Sequence, residues 1–346
     1  VMQTKHYADL GKKINIRVDY NEYDDEFTGI FTTKSDYLRI IQLAKLRNIT
    51  PEQQYNLQEH TQDISVKNLR IFANELESYK KQYGLIDFND MITQFIKSDT
   101  CPKLDTVFID EAQDLSRMQW NMAAVLMSNS NDSFIAGDDD QAIFRWAGAD
   151  VDSFITQKGK FLNLTQSYRV PRVVHDVAMG IVGRISNRLR KEWEPKTHLG
   201  MLSYYHEFHD VDLSKGEWLV LARTKYMLKD LEDELYKKGF YYKNKFKKGY
   251  ESDLYNAITN WENFRKNKEL DAEQNKKPRI LLSTIHGVKG GEADNVVLLT
   301  DLSLNTQKGY DRNPDDENRL FYVGATRAKN HLHIIRPKDI YKSFKL

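Results

Sequence analysis

Only one cysteine, Cys101, occurs in 346 residues, so neither a disulfide framework nor a cysteine-based zinc site can be built from this chain. A reducing, cytoplasmic setting is the expectation that follows. No apolar run approaches the roughly 20 residues needed to cross a bilayer, and no secretory leader opens the sequence. No membrane partner is expected. Neither sign of charge dominates: 51 Lys and Arg stand against 50 Asp and Glu, a formal net charge of +1. No global field points to a nucleic-acid partner, and any basic surface must be local. Internal repeats and low-complexity tracts are missing as well. What is present, 40% hydrophobic and 29% charged residues, suits two globular domains that each bury a core.

Residues 1 to about 97 read as mostly helical, polar and aromatic. Thr50-Pro51-Glu52-Gln53 has a capping Thr, Pro at the first helical position and Gln at the third, which marks a helix start. Leu69, Phe72, Ala73, Leu76 and Tyr79 form a one-faced stripe suited to a core, and Gly84 stops that helix. Leu85 to Asp90 opens another short helix that ends near Pro102.

From residue 106 the pattern changes to strand, loop, helix. Thr106 to Ile109 is short, apolar and β-rich, as in a strand buried on both faces of a parallel sheet. Asp110 and Glu111 follow at once, at the C-terminal edge where open α/β sheets bind ligands. Asp110 suits Mg²⁺, which takes one or two carboxylates, waters and phosphate oxygens. Glu111 suits a base that orients or deprotonates water. The plainer reading of the pair is a helix cap and a first-turn acid. Ser116 then caps a helix with Trp120, Ala123, Ala124 and Met127 on one face. Ser133 to Ala136 reads as the next buried strand and runs into Asp138, Asp139 and Asp140, whose spacing fails the calcium-loop pattern. Trp146 is either a core aromatic or a platform for stacking a base.

Further strands are expected at 161–164, 218–222, 279–283, 296–299 and 331–335. Helices are expected over 172–196, with a solvated basic face (Arg184, Arg188, Arg190, Lys191), over 225–238 and over 318–329. Residues 303–316 read as a polar loop, and 243–278 as a charged stretch with one helix around 255–264. Strands alternating with helices imply parallel sheets in an α/β fold.

Five separated segments in this order resemble the UvrD/Rep-like superfamily 1 DNA helicases, over about 85–336 and more weakly before. Asp110, Glu111, Gln113 and Asp114 resemble the Walker B motif. Gly137, Asp138 and Gln141 resemble motif III, and Tyr168 with Arg169 motif IV. Thr284, His286, Lys289, Gly290 and Glu292 resemble motif V, and Arg327 the motif VI arginine. The resemblance implies two RecA-like parallel-sheet motor domains that hydrolyse ATP in the cleft between them and translocate on single-stranded DNA with 3′-to-5′ polarity, with single-stranded and duplex DNA as partners. It implies a helical, 1B-like subdomain over 1–97, the C-terminal part of an incomplete first motor domain over 98–160, and the second motor domain over 161–346. It also implies roles. Asp110 holds Mg²⁺ and Glu111 activates water. Gln141, Arg169 and Arg327 sense or neutralise the γ-phosphate. Tyr168 stacks near the adenine and Glu292 reaches the ribose. Phe144, Trp146, Thr284, His286 and Lys289 contact DNA. Replication or repair proteins are possible partners. Such residues suit phosphoryl transfer, which depends on positioning and charge neutralisation.

Three departures stand out. No Gly-x-x-x-x-Gly-Lys-Ser/Thr occurs: Gly11-Lys12-Lys13 and Gly159-Lys160-Phe161 both fail it. Without that loop nothing cradles the β- and γ-phosphates. Ala147 stands where the family has arginine, and the family's large accessory insertion is reduced to 243–278. The expectation is therefore a helicase fragment, inactive by itself, with bare apolar surface beside 106–109. The alternative is a degenerate module that holds DNA or a partner without turnover.

Overall fold

The computed structural model describes residues 1–16, 20–24, 31–33, 35–57, 64–98, 100–240, 242–246, 261 and 278–346. They form two compact units, Val1–Lys158 and Gly159–Leu346. The helix expected around 255–264 lies outside the described residues apart from Trp261.

The first unit begins with helices α1 (Thr4–Lys13), α2 (Asp36–Arg47), α3 (Pro51–Asn56), α4 (Val66–Tyr83) and α5 (Phe88–Ser98). An antiparallel pair, β1 (Tyr20–Asp24) and β2 (Phe31–Thr33), stands within the region read as mostly helical. The cap on α3 forms as the sequence dictates: Thr50 Oγ1 accepts from Gln53 N at 3.2 Å, and Thr50 N donates to Gln53 Oε1 at 2.9 Å. The α4 stripe, Leu69, Phe72, Leu76 and Tyr79, is buried against Tyr7, Leu10, Tyr37 and Ile40. Gly84 ends α4 in the left-handed region, at φ +61°.

A partly buried ion cluster ties α2, α4 and α5 together. Lys80 is buried and its Nζ lies 2.7 Å from Glu77, 3.2 Å from Asp87 and 2.7 Å from Asp90. Lys45 Nζ reaches the same three carboxylates at 3.0, 3.3 and 2.8 Å. Asp87 and Asp90 also cap each other's backbone N–H groups at the start of α5. Burial alone would lower the Lys45 pKa, but Asp87 and Asp90 raise it well above the ordinary lysine value.

β3 (Leu104–Ile109) and β4 (Ser130–Ile135) pair in parallel, with Phe108 opposite Phe134. α6 (Arg117–Ser128) connects them. Its Trp120 and Ala123 pack with Ala112 against Ile109, Leu115, Ile135 and Phe154, so one face of the pair is covered. Ala124 is exposed rather than part of that face. The other face is bare: Phe108 is 75% and Phe134 55% exposed, their rings stacked 5.1 Å apart. The sequence predicts burial on both faces for the first strand and a buried strand for the second. Their sheet has only two strands among the described residues and a helical layer on one side, so alternate residues of each strand face solvent. A short α7 (Val151–Ile155), capped by Asp150, ends the unit.

The second unit is built on a six-stranded sheet in the order β5-β10-β9-β6-β8-β7, every neighbouring pair parallel. The strands are β5 (Met201–Tyr205), β6 (Trp218–Ala222), β7 (Tyr242–Asn244), β8 (Ile280–Thr284), β9 (Ala293–Leu299) and β10 (Ala328–Ile335). β6 is buried along its whole length, as an apolar run in a central parallel strand should be. One face packs α9 (Leu228–Lys237) through Leu228, Leu231 and Leu235 onto Val220 and Leu282. The other helices are α8 (Arg172–Val182), α10 (Leu304–Arg312) and α11 (Pro314–Ala325).

Four sequence expectations shift here. Residues 161–164 form no strand, and Phe161, Leu162 and Leu164 are exposed; no ladder among the described residues pairs with them. The helix from 172 stops at 182. Residues 304–312 are helical rather than a loop, because Ser303 Oγ caps Thr306 N at 3.1 Å. The following helix spans Pro314–Ala325, and Lys329 already lies in β10. The class is α/β with parallel sheets, as the strand–helix alternation implied.

Candidate active site and nucleic-acid interface

In the first unit the site grows from the C-terminal end of β3. Asp110 and Glu111 are both exposed there. Asp110 Oδ1 accepts from Glu111 N at 2.9 Å, and Glu111 adopts φ +50°, a conformation that costs a non-glycine residue energy. From Glu111 a chain of hydrogen bonds crosses to the end of β4. Gln113 Nε2 donates to Glu111 Oε2 at 2.6 Å, and Gln113 Oε1 accepts from Asp138 N at 2.9 Å. Gln141 Nε2 then donates to Asp138 Oδ2 at 2.7 Å. Gln113 is fully buried, so both ends of its amide are oriented by these partners. Gly137 makes the approach possible, since a Cβ there would lie 2.4 Å from Gln113 Oε1 and 2.9 Å from Phe154.

The connecting role of Gln113 was missed by reading the sequence. Its position two residues after Glu111 was the available signal, but only the parallel pairing of β3 and β4 brings Asp138 to it. Gln141 is linked to Glu111 through this relay.

Beyond Gln141 the chain turns through Phe144 and Trp146. Trp146 is 53% exposed, while Phe144 is 5% exposed and meets the indole edge-on at 6.5 Å. Of the two rings expected to contact DNA, Trp146 is the exposed one and Phe144 the buried one. It is packed into the unit's core and supports Trp146 from within, so it presents no face for a base to stack on. Ala147 is buried beside it, and Arg47 Nη2 donates to Arg145 O at 3.0 Å, fixing this turn against α2.

In the second unit Tyr168 is exposed and Arg169 lies 3.7 Å from Glu292 across the end of the sheet. The Nε of Arg169 is buried and has no acceptor, so this guanidinium keeps a donor for an anion. Arg327 is buried: its Nε donates to Val323 O at 2.9 Å and its Nη1 to Gly291 O at 3.4 Å. Gly291 precedes Glu292, so Arg169, Glu292 and Arg327 converge on one corner of this unit.

The turn after β8 holds the remaining residues. Thr284 and Lys289 are buried, and Gly287 N donates to Thr284 Oγ1 at 3.2 Å. Burial, followed by the nearby positive charge of Arg223, lowers the His286 pKa to about 3. His286 is therefore a neutral hydrogen-bonding group near pH 7 and adds no positive charge to a DNA surface. Arg223 itself is clamped by Glu317, with Nε to Oε2 at 2.8 Å and Nη2 to Oε1 at 2.7 Å.

A profile of the UvrD/REP helicase N-terminal domain matches residues 3–162, and one of the UvrD-like helicase C-terminal domain matches residues 227–339. The chain belongs to the UvrD/Rep-like helicase family. The N-terminal match takes in the helical region before residue 85, where the motifs are silent. A probable DNA helicase of Mycoplasma pneumoniae is 25% identical over 289 residues, 75% of this chain and 50% of its own length. The ATP-dependent DNA helicase PcrA of Bacillus subtilis is 27% identical over 204 residues, 50% of this chain and 28% of its own length. The chain thus spans half or less of the length of these family relatives. A solved arterivirus helicase in complex with DNA is a more distant likeness, with 15% identity and a TM-score of 0.35 over 68% of this chain and 40% of its own.

Proposed function

We propose that this UvrD/Rep-like chain carries the Walker B and motif III to VI residues of an ATP-dependent helicase that translocates on single-stranded DNA in the 3′-to-5′ direction. The observation that supports this most is the relay Glu111–Gln113–Asp138–Gln141, which links a water-activating carboxylate to a γ-phosphate-sensing glutamine. A cap at a helix start needs no such connection.

The roles follow from the chemistry of each group. Asp110 is the residue that would hold Mg²⁺, whose charge offsets that of the phosphates when bound. One exposed carboxylate at a strand end fits a cation that fills its other positions with water and phosphate oxygens. Glu111 orients and deprotonates the attacking water, with Gln113 fixing its carboxylate. Gln141 reports on the γ-phosphate to the same relay. Tyr168 offers a face to the adenine, Arg169 and Arg327 offset charge on the γ-phosphate, and Glu292 reaches the ribose while holding Arg169. Trp146 stacks on a base, and Thr284, His286 and Lys289 contact the strand. Helix-rich residues 1–97 act as a 1B-like subdomain, 98–160 as part of one motor domain and 161–346 as the other. A role in DNA replication or repair fits this activity.

A second reading, a module that holds DNA without turnover, has one observation in its favour: no glycine-rich phosphate loop occurs in residues 1–346. The experiment is a steady-state ATPase assay with and without single-stranded DNA. Residues 1–346 alone should show no DNA-stimulated turnover. A polypeptide joining a phosphate loop to them should turn over, and Glu111→Gln should lower that rate by about 10²–10⁴-fold while ATP still binds. Near wild-type turnover in Glu111→Gln would remove Glu111 from the base role. Failure of the joined polypeptide to hydrolyse ATP would favour the module without turnover.

A further inference from the structure

The turn that carries Trp146 is short and is held from two sides. Arg145–Ala147 makes a single 3-10 turn, closed by Gly148 N donating to Arg145 O at 3.1 Å. Hydrogen-bond geometry in such a turn is poorer than in an α-helix, so outside contacts decide its shape. On its C-terminal side Asp150 N donates to Leu115 O at 2.8 Å, and Ala149 bridges to Ser116. On the other side stands the last turn of α2, which belongs to none of the family motifs named above.

Three consecutive residues of that last turn act in different directions. Lys45 ties α2 to α4 and α5 through the ion cluster. Leu46 packs on Gly148, which sits at φ +105° and where a Cβ would lie 3.3 Å from Leu46 Cβ. Arg47 spans two oxygens: its Nη2 donates to Arg145 O at 3.0 Å and its Nη1 to Oε1 of the fully buried Gln54 at 2.9 Å. Arg145 O therefore accepts two N–H groups, one from Gly148 and one from Arg47.

The plain reading of Arg47 is a tether between two pieces of one core. Its surroundings make that an expensive tether. Burial and then the neighbouring Arg145 charge both lower its pKa, and the two oxygens it holds are neutral. An apolar side chain joins two packed elements at less cost. What the fork of a guanidinium adds is a fixed orientation for the carbonyl it holds. That carbonyl belongs to the residue before Trp146. Ala147, where the family has arginine, is buried and brings no guanidinium of its own to this turn.

We propose that Arg47 is a positioning residue for Trp146: from α2 it pins the carbonyl that closes the turn and so holds the indole in the orientation that stacks on a base. The role rests on the base-stacking reading of Trp146 given above. Arg47 itself touches no DNA. It lowers the cost of ordering the ring when a strand binds.

The test is a double-mutant cycle on the 346-residue chain, read by fluorescence anisotropy of a short fluorescein-labelled oligothymidylate across a salt series, with melting temperatures alongside. Arg47→Met should weaken binding about 3- to 10-fold, the usual cost of ordering a large side chain on binding. In a Trp146→Ala background the same change should cost nothing further, because the ring it positions is gone. The slope of log affinity against log salt should stay as in the wild type, since a phosphate contact of its own would contribute about 0.7 to that slope. Arg47→Met also leaves Gln54 without this donor. If it melts well below the wild type, Arg47→Lys decides: it keeps the charge and a donor but not the fork that spans both oxygens, and should lose about 3-fold on the same cycle. An equal loss with and without Trp146, a flattened slope, or wild-type affinity in the deciding variant overturns the positioning role. Binding that depends on Trp146 but ignores Arg47 rejects that role alone and leaves the stacking reading standing. Binding that ignores Trp146, or no binding by the wild-type chain, rejects both.

Discussion

Replacing Asp90 by Asn tests whether the ion cluster of the first unit holds its helices together. Asp90 accepts from Lys45 Nζ at 2.8 Å, from Lys80 Nζ at 2.7 Å and from Asp87 N at 2.9 Å. Burial would raise its pKa, but the Asp87 N–H and then the two ammonium groups hold it down at about 2, against an ordinary 3.8. A depressed carboxylate contributes stability above its unfolded pKa and loses it as pH falls through the folded one. The gap between 3.8 and about 2 is worth roughly 2 kcal/mol, present near neutral pH and lost between about pH 4 and pH 2. Asn keeps one acceptor but turns an amide donor toward two ammonium groups. Breaking one partner of a buried pair costs about 3–5 kcal/mol, and Asp87 and Glu77 remain, so the lower end of that range is expected near neutral pH. Hydrogen exchange read on peptides from α4 and α5 reports the free energy of this unit alone. Wild type and Asp90→Asn should differ by about 3 kcal/mol near neutral pH and by roughly 1 kcal/mol near pH 2, because only the wild type loses the Asp90 contribution on acidification. A difference that stays the same at both pH values would refute the reasoning.

Trp146→Ala should weaken single-stranded DNA binding by about 1–3 kcal/mol in an anisotropy titration and leave the melting temperature nearly unchanged, because the indole is half exposed. A large fall in melting temperature with unchanged affinity would return Trp146 to the core. Gly137→Ala places a Cβ 2.4 Å from Gln113 Oε1 and should destabilise the first unit by about 1–3 kcal/mol in thermal unfolding; unchanged stability would mean that the relay shifts freely. Phe108→Ser combined with Phe134→Ser should raise solubility and reduce binding of a hydrophobic dye, with stability changed by less than about 1 kcal/mol, since both rings are mostly exposed. Equal dye binding would place the sticky surface elsewhere.

Local chemistry was legible wherever neighbours in sequence decide it. The cap at Thr50, the buried stripe of α4, the stop at Gly84 and the apolar β6 each follow from spacing within one element, and the structure has them where the spacing puts them. The parallel α/β class follows from the order of strands and helices, and the placing of Asp110 and Glu111 at a strand's C-terminal end follows from the six consecutive residues Thr106 to Glu111. Whatever depends on a partner distant in the chain was decided by tertiary structure. Thr106 to Ile109 and Ser133 to Ala136 are apolar enough for burial on two faces, yet burial needs a second layer, and among the described residues one face alone is covered, by α6 with Leu115 and Phe154. Residues 161–164 have the composition of a strand but, among the described residues, no ladder to join. Phe144 and Trp146 are both aromatic and two residues apart; packing alone sends one inward and leaves the other in solvent. Lys45 and Lys80 look like solvated charges until α2, α4 and α5 close three carboxylates around them. Gln113 becomes the link between Glu111 and Gln141 only because the parallel register of β3 and β4 brings Asp138 within 2.9 Å of its amide. The physical reason is common to all of these cases. Spacing along the chain specifies which side chains can share a face, whereas desolvation and hydrogen-bond pairing depend on what the folded chain sets opposite that face.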